Sequence, residues 1–260
     1  MFGIAPKAPV SPEAQQWVED SFAWFIGQYG REFLQSLPVI QPTEEFFPED
    51  FHPTDASIQA TLVRLCGFMH VRPERVTLEI FDDDQEDLKK ALRTTLPHWE
   101  DSSSGAAGTY REDTEAERFL ITVKRSKSVD PVTLIATLAH ELAHVLLLGE
   151  GRIDRDAPDM EPLTDLATVF WGLGIFNANS ATRFQQHDDG TKHGWSFQRL
   201  GYLSEPMFAY ALAVFAWERG EKKPLWAKHL RLNVGTYFRQ SLKVLQYRDA
   251  QKNKPRYGRM

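Results

Sequence analysis

The segment Asp130-Pro-Val-Thr-Leu-Ile-Ala-Thr-Leu-Ala-His-Glu-Leu-Ala-His-Val-Leu-Leu-Leu-Gly149 decides how the rest of the chain is read. Asp130 suits an N-cap, Pro131 suits the first helical position, and Gly149 is a stop signal. Leu134, Ile135, Leu138, Leu142, Val145 and Leu146 recur at helical spacing, so the segment is expected to be a helix with a broad buried face. On that helix His140 and His144 leave the same face one turn apart and can close on one zinc ion. Glu141 lies about 100° round from His140, near enough to reach a water on that metal without being a ligand. The competing interpretation is a core helix with two hydrogen-bonded histidines. Burying two imidazoles and a carboxylate without a partner is costly, which weighs toward the metal.

A catalytic zinc takes three protein ligands and leaves a fourth position for water, so a third ligand is sought downstream. In Asp159-Met-Glu-Pro-Leu-Thr-Asp-Leu-Ala-Thr-Val-Phe170, Asp159 is expected to cap a second helix whose first turn tolerates Pro162. Glu161 and Asp165 then stand four apart on one face. With His140-Glu141-x-x-His144, this Glu-x-x-Thr-Asp pattern resembles the gluzincin branch of the zincin metallopeptidases, the thermolysin-like group. The resemblance implies that Glu161 is the third ligand and that Asp165 stands behind the metal as the acceptor holding a histidine ligand, His140.

The resemblance covers these two helices alone. Residues 145–160, sixteen positions, separate His144 from Glu161. That is fewer than in thermolysin-like enzymes, so the connection must be compact. Asp165 stays a rival for the third position, because carboxylate oxygen is an ordinary zinc donor. A metzincin pattern would need glycine at 147 and histidine at 150, where this chain has Leu147 and Glu150.

The expected chemistry is hydrolysis of a peptide bond by a metal-activated water. Zinc would bring the pKa of that water to about 7, and Glu141 would take its proton and pass it to the leaving nitrogen. Thermolysin-like enzymes stabilise the oxyanion with a downstream Tyr or His, which makes Tyr202 and His193 candidates here, with Tyr210 behind them. No spacing rule selects among the three. The polar stretch Gln185 to Gly194 also holds His187, Asp188 and Asp189, but without a metal-ligand spacing it reads as a solvated loop.

The fold class expected is α+β: a zincin-like catalytic core, with a small mixed or antiparallel sheet packed on the motif helix, and additional N- and C-terminal helices. We expect one domain over 1–260: a mostly helical part (1–70), the sheet with the two ligand helices (71–175), and a helical part (176–260). Val76 to Phe81 and Arg118 to Val123 are rich in β-formers and read as strands. Either the glycine-bearing stretch 105–110 or the strand at 118–123 could offer an edge to an extended peptide. Gly172 to Gly174 and Asn177 to Ser180 read as a break. Ser204 to Trp217 reads as a capped core helix ending near Gly220, and Leu225 to Leu245 as a further helix.

Composition narrows the partners. The net charge of -6 offers no general attraction to nucleic acid or to an anionic membrane, and no apolar run approaches the length of a spanning helix. The start lacks the basic and apolar pattern of a secretory signal, and one cysteine, Cys66, excludes an internal disulfide, so a cytoplasmic location is expected. Cys66 lies in an apolar stretch and reads as a buried structural thiol. The basic tail from Lys243 to Arg259 reads as a frayed end. Two function classes follow: a zinc metallopeptidase acting on a peptide or protein substrate, and a silent or regulatory zinc-binding protein with a zincin fold. Neither class sets an oligomeric state.

Overall fold

The computed structural model describes residues 5–82, 108–113, 118–185 and 203–252. Helix α1 (Pro12–Tyr29) starts where Ser11 accepts the Ala14 N–H and Pro12 takes the first helical position. It buries Ala14, Val18, Phe22 and Phe25, a stripe with helical spacing. Helix α2 (Arg31–Ser36) follows, and α3 (Asp55–Phe68), capped by Thr54, buries Ile58, Leu62, Leu65 and Cys66. Burial pushes the Cys66 thiol up to about 12, so it packs as an apolar group and is not a nucleophile.

Strands β1 (Val76–Phe81), β2 (Gly108–Asp113) and β3 (Arg118–Lys124) form a sheet in the order β1-β3-β2. β1 runs parallel to β3, with Val76 opposite Phe119, while β2 runs antiparallel to it, with Tyr110 opposite Ile121. The sheet is therefore mixed, and the antiparallel alternative is set aside: β1 and β3 form a parallel pair, which requires a long crossover, and residues 82–117 provide the length. β3 is the central strand, so 118–123 has no free edge, contrary to one of the two edge expectations. The other stretch, 105–110, reaches the described residues only from Gly108 onward, as the start of the outer strand β2.

Helix α4 (Pro131–Leu147) carries the His-Glu-x-x-His segment. The Asp130 side chain accepts from the Thr133 N–H at 3.0 Å and from its hydroxyl at 2.6 Å, and every residue from Thr133 to Leu147 is buried. The helix packs against α3, β2 and β3 and against two later helices, α5 (Met160–Phe170) and α6 (Gly174–Gln185). Gly149 ends it for a steric reason. A Cβ there would lie 2.7 Å from the Val145 carbonyl oxygen and strike the Phe119 ring, so only glycine lets the helix close against β3.

Helices α7 (Glu205–Glu218) and α8 (Leu232–Lys252) complete the order. α7 is buried from Met207 to Ala216, as its apolar sequence requires. Two expectations are corrected here. Asn177 to Ser180 lies inside α6, where Asn177 Nδ2 donates to the Ala136 carbonyl at 3.1 Å and tertiary bonding overrides weak helix propensity. Residues 225–245 are not one helix: a 3-10 turn at Leu225–His229 precedes α8. The Asn179 amide holds the joint, donating to the His229 carbonyl and accepting from the Arg231 N–H, both at 2.9 Å.

One cluster of buried apolar side chains runs from Val10 to Leu245. Its aromatic centre joins α1 to the end of α5, where Phe25 stacks on Phe170 with ring centroids 5.0 Å apart and meets Trp171 edge-on at 6.1 Å. Among the described residues no helix is long and apolar enough to cross a membrane. Phe25→Ala is expected to cost about 3–5 kcal/mol of stability by opening a cavity in this aromatic layer. Val63→Ala, at a 46% exposed position, should change stability by less than about 0.5 kcal/mol. Equilibrium denaturant unfolding of the two variants checks the contrast.

Candidate metal centre

On the α4 cylinder Thr133, Thr137, His140, Glu141 and His144 fall within an arc of about 100°, a polar stripe on a helix that is otherwise apolar. All five are buried. The stripe faces α5, whose first turns carry Glu161, Thr164 and Asp165. Glu161 follows the helix start, where an acidic side chain suits the dipole, and Asp165 is one turn on along the same face.

The two nitrogens of His140 are divided between two carboxylates. Nδ1 lies 2.8 Å from Asp165 Oδ1, and Nε2 lies 3.1 Å from Glu161 Oε2. His144 Nε2 is 3.6 Å from that same Glu161 oxygen, and its Nδ1 is 3.3 Å from the Thr164 hydroxyl, which donates to the Met160 carbonyl at 2.8 Å. His140, His144 and Glu161 thus bring one ligand atom each within 4.8 Å of one another, a buried group that could hold a metal ion. The imidazoles are 6% and 8% exposed and the Glu161 side chain 37%, so the group opens to solvent on the Glu161 side.

Asp165 stands apart from that group. Its Oδ1 meets the far side of His140, and its Oδ2 accepts the Leu203 N–H at 2.7 Å. Asp159 departs from expectation: it occupies the N-cap position but makes no side-chain cap, because its carboxylate accepts the Trp17 indole N–H at 2.9 Å. Glu150 pairs with Arg152 at 2.9 Å. Tyr210 is fully buried with its hydroxyl engaged by Glu19 and Arg248. Tyr202, His193 and the rest of the polar stretch from residue 186 lie outside the described residues.

The charges are tuned around a positive centre. Burial would push the His140 imidazole down, but Asp165 and Glu161 reverse this and hold it well above the ordinary range. Burial would likewise raise Glu161, yet hydrogen bonds and charge from His140 and His144 hold it well below the usual carboxylate range. Asp165 is pushed up by burial against the pull of His140, 2.8 Å away.

Glu141 is raised by burial, partly offset by the two histidines. Among the described residues no hydrogen bond reaches its carboxylate. One turn earlier on the same face, the Thr137 hydroxyl is buried without a hydrogen-bond partner. Sequence reading passed over Thr137, Thr164 and the Leu203 N–H. The helical stripe could have pointed to Thr137, and the Thr of the Glu-x-x-Thr-Asp pattern to Thr164, but a backbone donor leaves no mark in a sequence.

Compared with protein-family models, curated proteins and solved structures, the chain finds no match. Alanine at His140, His144 or Glu161 is expected to remove bound metal, since each deletes a member of the group. Asp165→Asn should weaken binding by roughly 10–100-fold without abolishing it, because it disturbs the partner of a ligand and leaves the ligand in place. Metal content after dialysis, with chelator competition, measures both. A metal-free Asp165 variant beside a metal-loaded Glu161→Ala would invert the assignment.

Proposed function

We propose that this chain is a zinc-dependent metallopeptidase of the zincin kind, with His140, His144 and Glu161 as metal ligands and Glu141 as the general base. The observation that carries the reading is the placement of Glu141: a buried acidic residue on the same helix face as His140 and His144. Such a group is expensive to keep unless it meets a polar reactant.

The donor set fits zinc. Two ligand atoms about 2.0–2.1 Å from a tetrahedral centre stand about 3.3 Å apart; the contacts of 3.1 and 3.6 Å from Glu161 Oε2 to the two imidazoles bracket that separation, and all three ligand atoms lie within 4.8 Å of one another, so the two imidazoles would close on the ion. Two imidazole nitrogens and one carboxylate oxygen also suit zinc chemically. Bound there, zinc would supply Lewis acidity, making a water more acidic and polarising a carbonyl.

The chain's own residues supply the rest. Burial lifts the Glu141 carboxyl toward the range in which it can accept and return a proton near neutral pH. Asp165 fixes the tautomer and orientation of His140 from its Nδ1 side, and Thr164 does the same for His144. Tyr202 and His193 are the oxyanion donors that the sequence offers. Among the described residues β2 pairs only with β3 and packs on α4, so its outer edge can take an extended peptide by main-chain hydrogen bonds. A single thiol accords with a reducing, cytoplasmic setting.

Glu141→Gln is the decisive variant. It should keep about one zinc per chain, since no ligand is lost, and lose roughly 10²–10⁴-fold in turnover on a mixed peptide library. Loss of metal in that variant refutes the role given to Glu141. Zinc-loaded wild-type protein inert on every peptide selects the silent zinc-binding alternative.

A further inference from the structure

A concave site lies away from the metal face. A cavity of about 610 Å³ sits between α3, the segment at 42–51 and the start of α4. Phe47, Phe51 and Phe176 line it together with Leu134 and Ile135. Those two α4 residues stand about 120° and 140° round the helix from His140, so the cavity and the metal group occupy different sides of one helix.

We propose that this cavity binds a small organic cation, an apolar body carrying a protonated amine. Its volume falls in the range that encloses small-molecule ligands, roughly 300–1,000 Å³, and its walls are chiefly apolar and aromatic. The charge at its lining is one-sided. Arg64 is cancelled by Glu49, whose two carboxylate oxygens it contacts at 2.7 Å each. Glu44 and Asp50 have no ion-pair partner among the described residues, so the lining keeps a net charge of -2, from three carboxylates and one guanidinium.

Carboxylates beside aromatic rings attract an ammonium group through both charge and ring quadrupole, and they repel an anion of the same shape. Thr43 adds a polar contact: it lines the cavity, and its hydroxyl oxygen is buried without a hydrogen-bond partner. An unsatisfied hydroxyl in an apolar pocket is costly until a ligand group or water meets it. The inference is independent of the peptidase reading, because none of these residues belongs to the metal group.

Calorimetric titration with n-octylamine, octanoate and 1-octanol at neutral pH separates the apolar contribution from the charge. The amine should bind at least about tenfold more tightly than the carboxylate, and more tightly than the alcohol. Glu44→Gln with Asp50→Asn, both exposed positions, should bring amine and alcohol to within about twofold. Ala60→Trp, which fills the cavity from α3, should abolish binding of all three while the circular dichroism spectrum stays unchanged. Equal affinity for the three probes, no binding of the amine, or binding undiminished by Ala60→Trp would each overturn the proposal. Should Ala60→Trp fail to fold, the charge variant decides alone.

Discussion

His140 is the residue on which the site depends, because it spends one nitrogen on each of two carboxylates from the same neighbouring helix. Asp165 takes Nδ1 and Glu161 takes Nε2, so the imidazole fixes the rotation of α4 against α5 as well as their separation. Around it stand Glu141, Glu161 and Asp165 with one further imidazole, His144. With both histidines neutral and all three carboxylates ionised these five groups would carry -3, and a divalent cation would bring the sum to -1. In a low-dielectric interior that arrangement is stable only around positive charge, from a proton or a metal. The raised His140 and the lowered Glu161 express that same demand.

Holding two helices at that spacing falls to elements that contain no ligand. The connection from α4 to α5 folds back on the helix end, with the Arg152 and Ile153 N–H groups both donating to the Leu147 carbonyl at 2.9 and 3.2 Å. This is the compact loop that sixteen residues between His144 and Glu161 require. The Arg152 guanidinium lies 4.4 Å from the Tyr29 ring centroid, tying the loop to α1. At the start of α5 the Trp17 indole takes Asp159, and at its end Phe170 and Trp171 enter the aromatic layer of α1. Both ends of α5 are therefore anchored to α1, which makes the amino-terminal helix part of the frame of the site.

What could be read from the sequence was what depends on local rules. The Asp130 cap, Pro131, and the spacing of His140, Glu141 and His144 are short-range signals, and the helix they announce is the one found. β1 occupies the expected residues and β3 extends them by one, because β-rich runs bounded by turn signals are also local. Strand order is not local: the central place of β3 follows from pairings across a crossover. Asn177 and Asn179 lie in a helix despite a turn-like composition for a similar reason. Their amides satisfy the Ala136 carbonyl and the joint at 229–231, contacts more than forty residues away that outweigh a turn-like composition.

Energetics also bears on the choice between Glu161 and Asp165, which pattern alone left open. For Asp165 to swing onto the face where Nε2 of His140 and His144 converge with Glu161, it would have to release both of its partners. Release of Oδ2 strips the buried Leu203 N–H of the carboxylate it donates to, and release of Oδ1 breaks the 2.8 Å contact with His140 Nδ1. A buried group stripped of its hydrogen bond costs about 1–3 kcal/mol, more when charge is involved. Glu161 has no such tie: among the described residues its polar contacts are with the two imidazoles, and its side chain is the one member of the group that faces solvent. On the proposed function, Glu161 is the carboxylate that would trade an imidazole contact for a metal, and Asp165, locked in place, would hold the imidazole still.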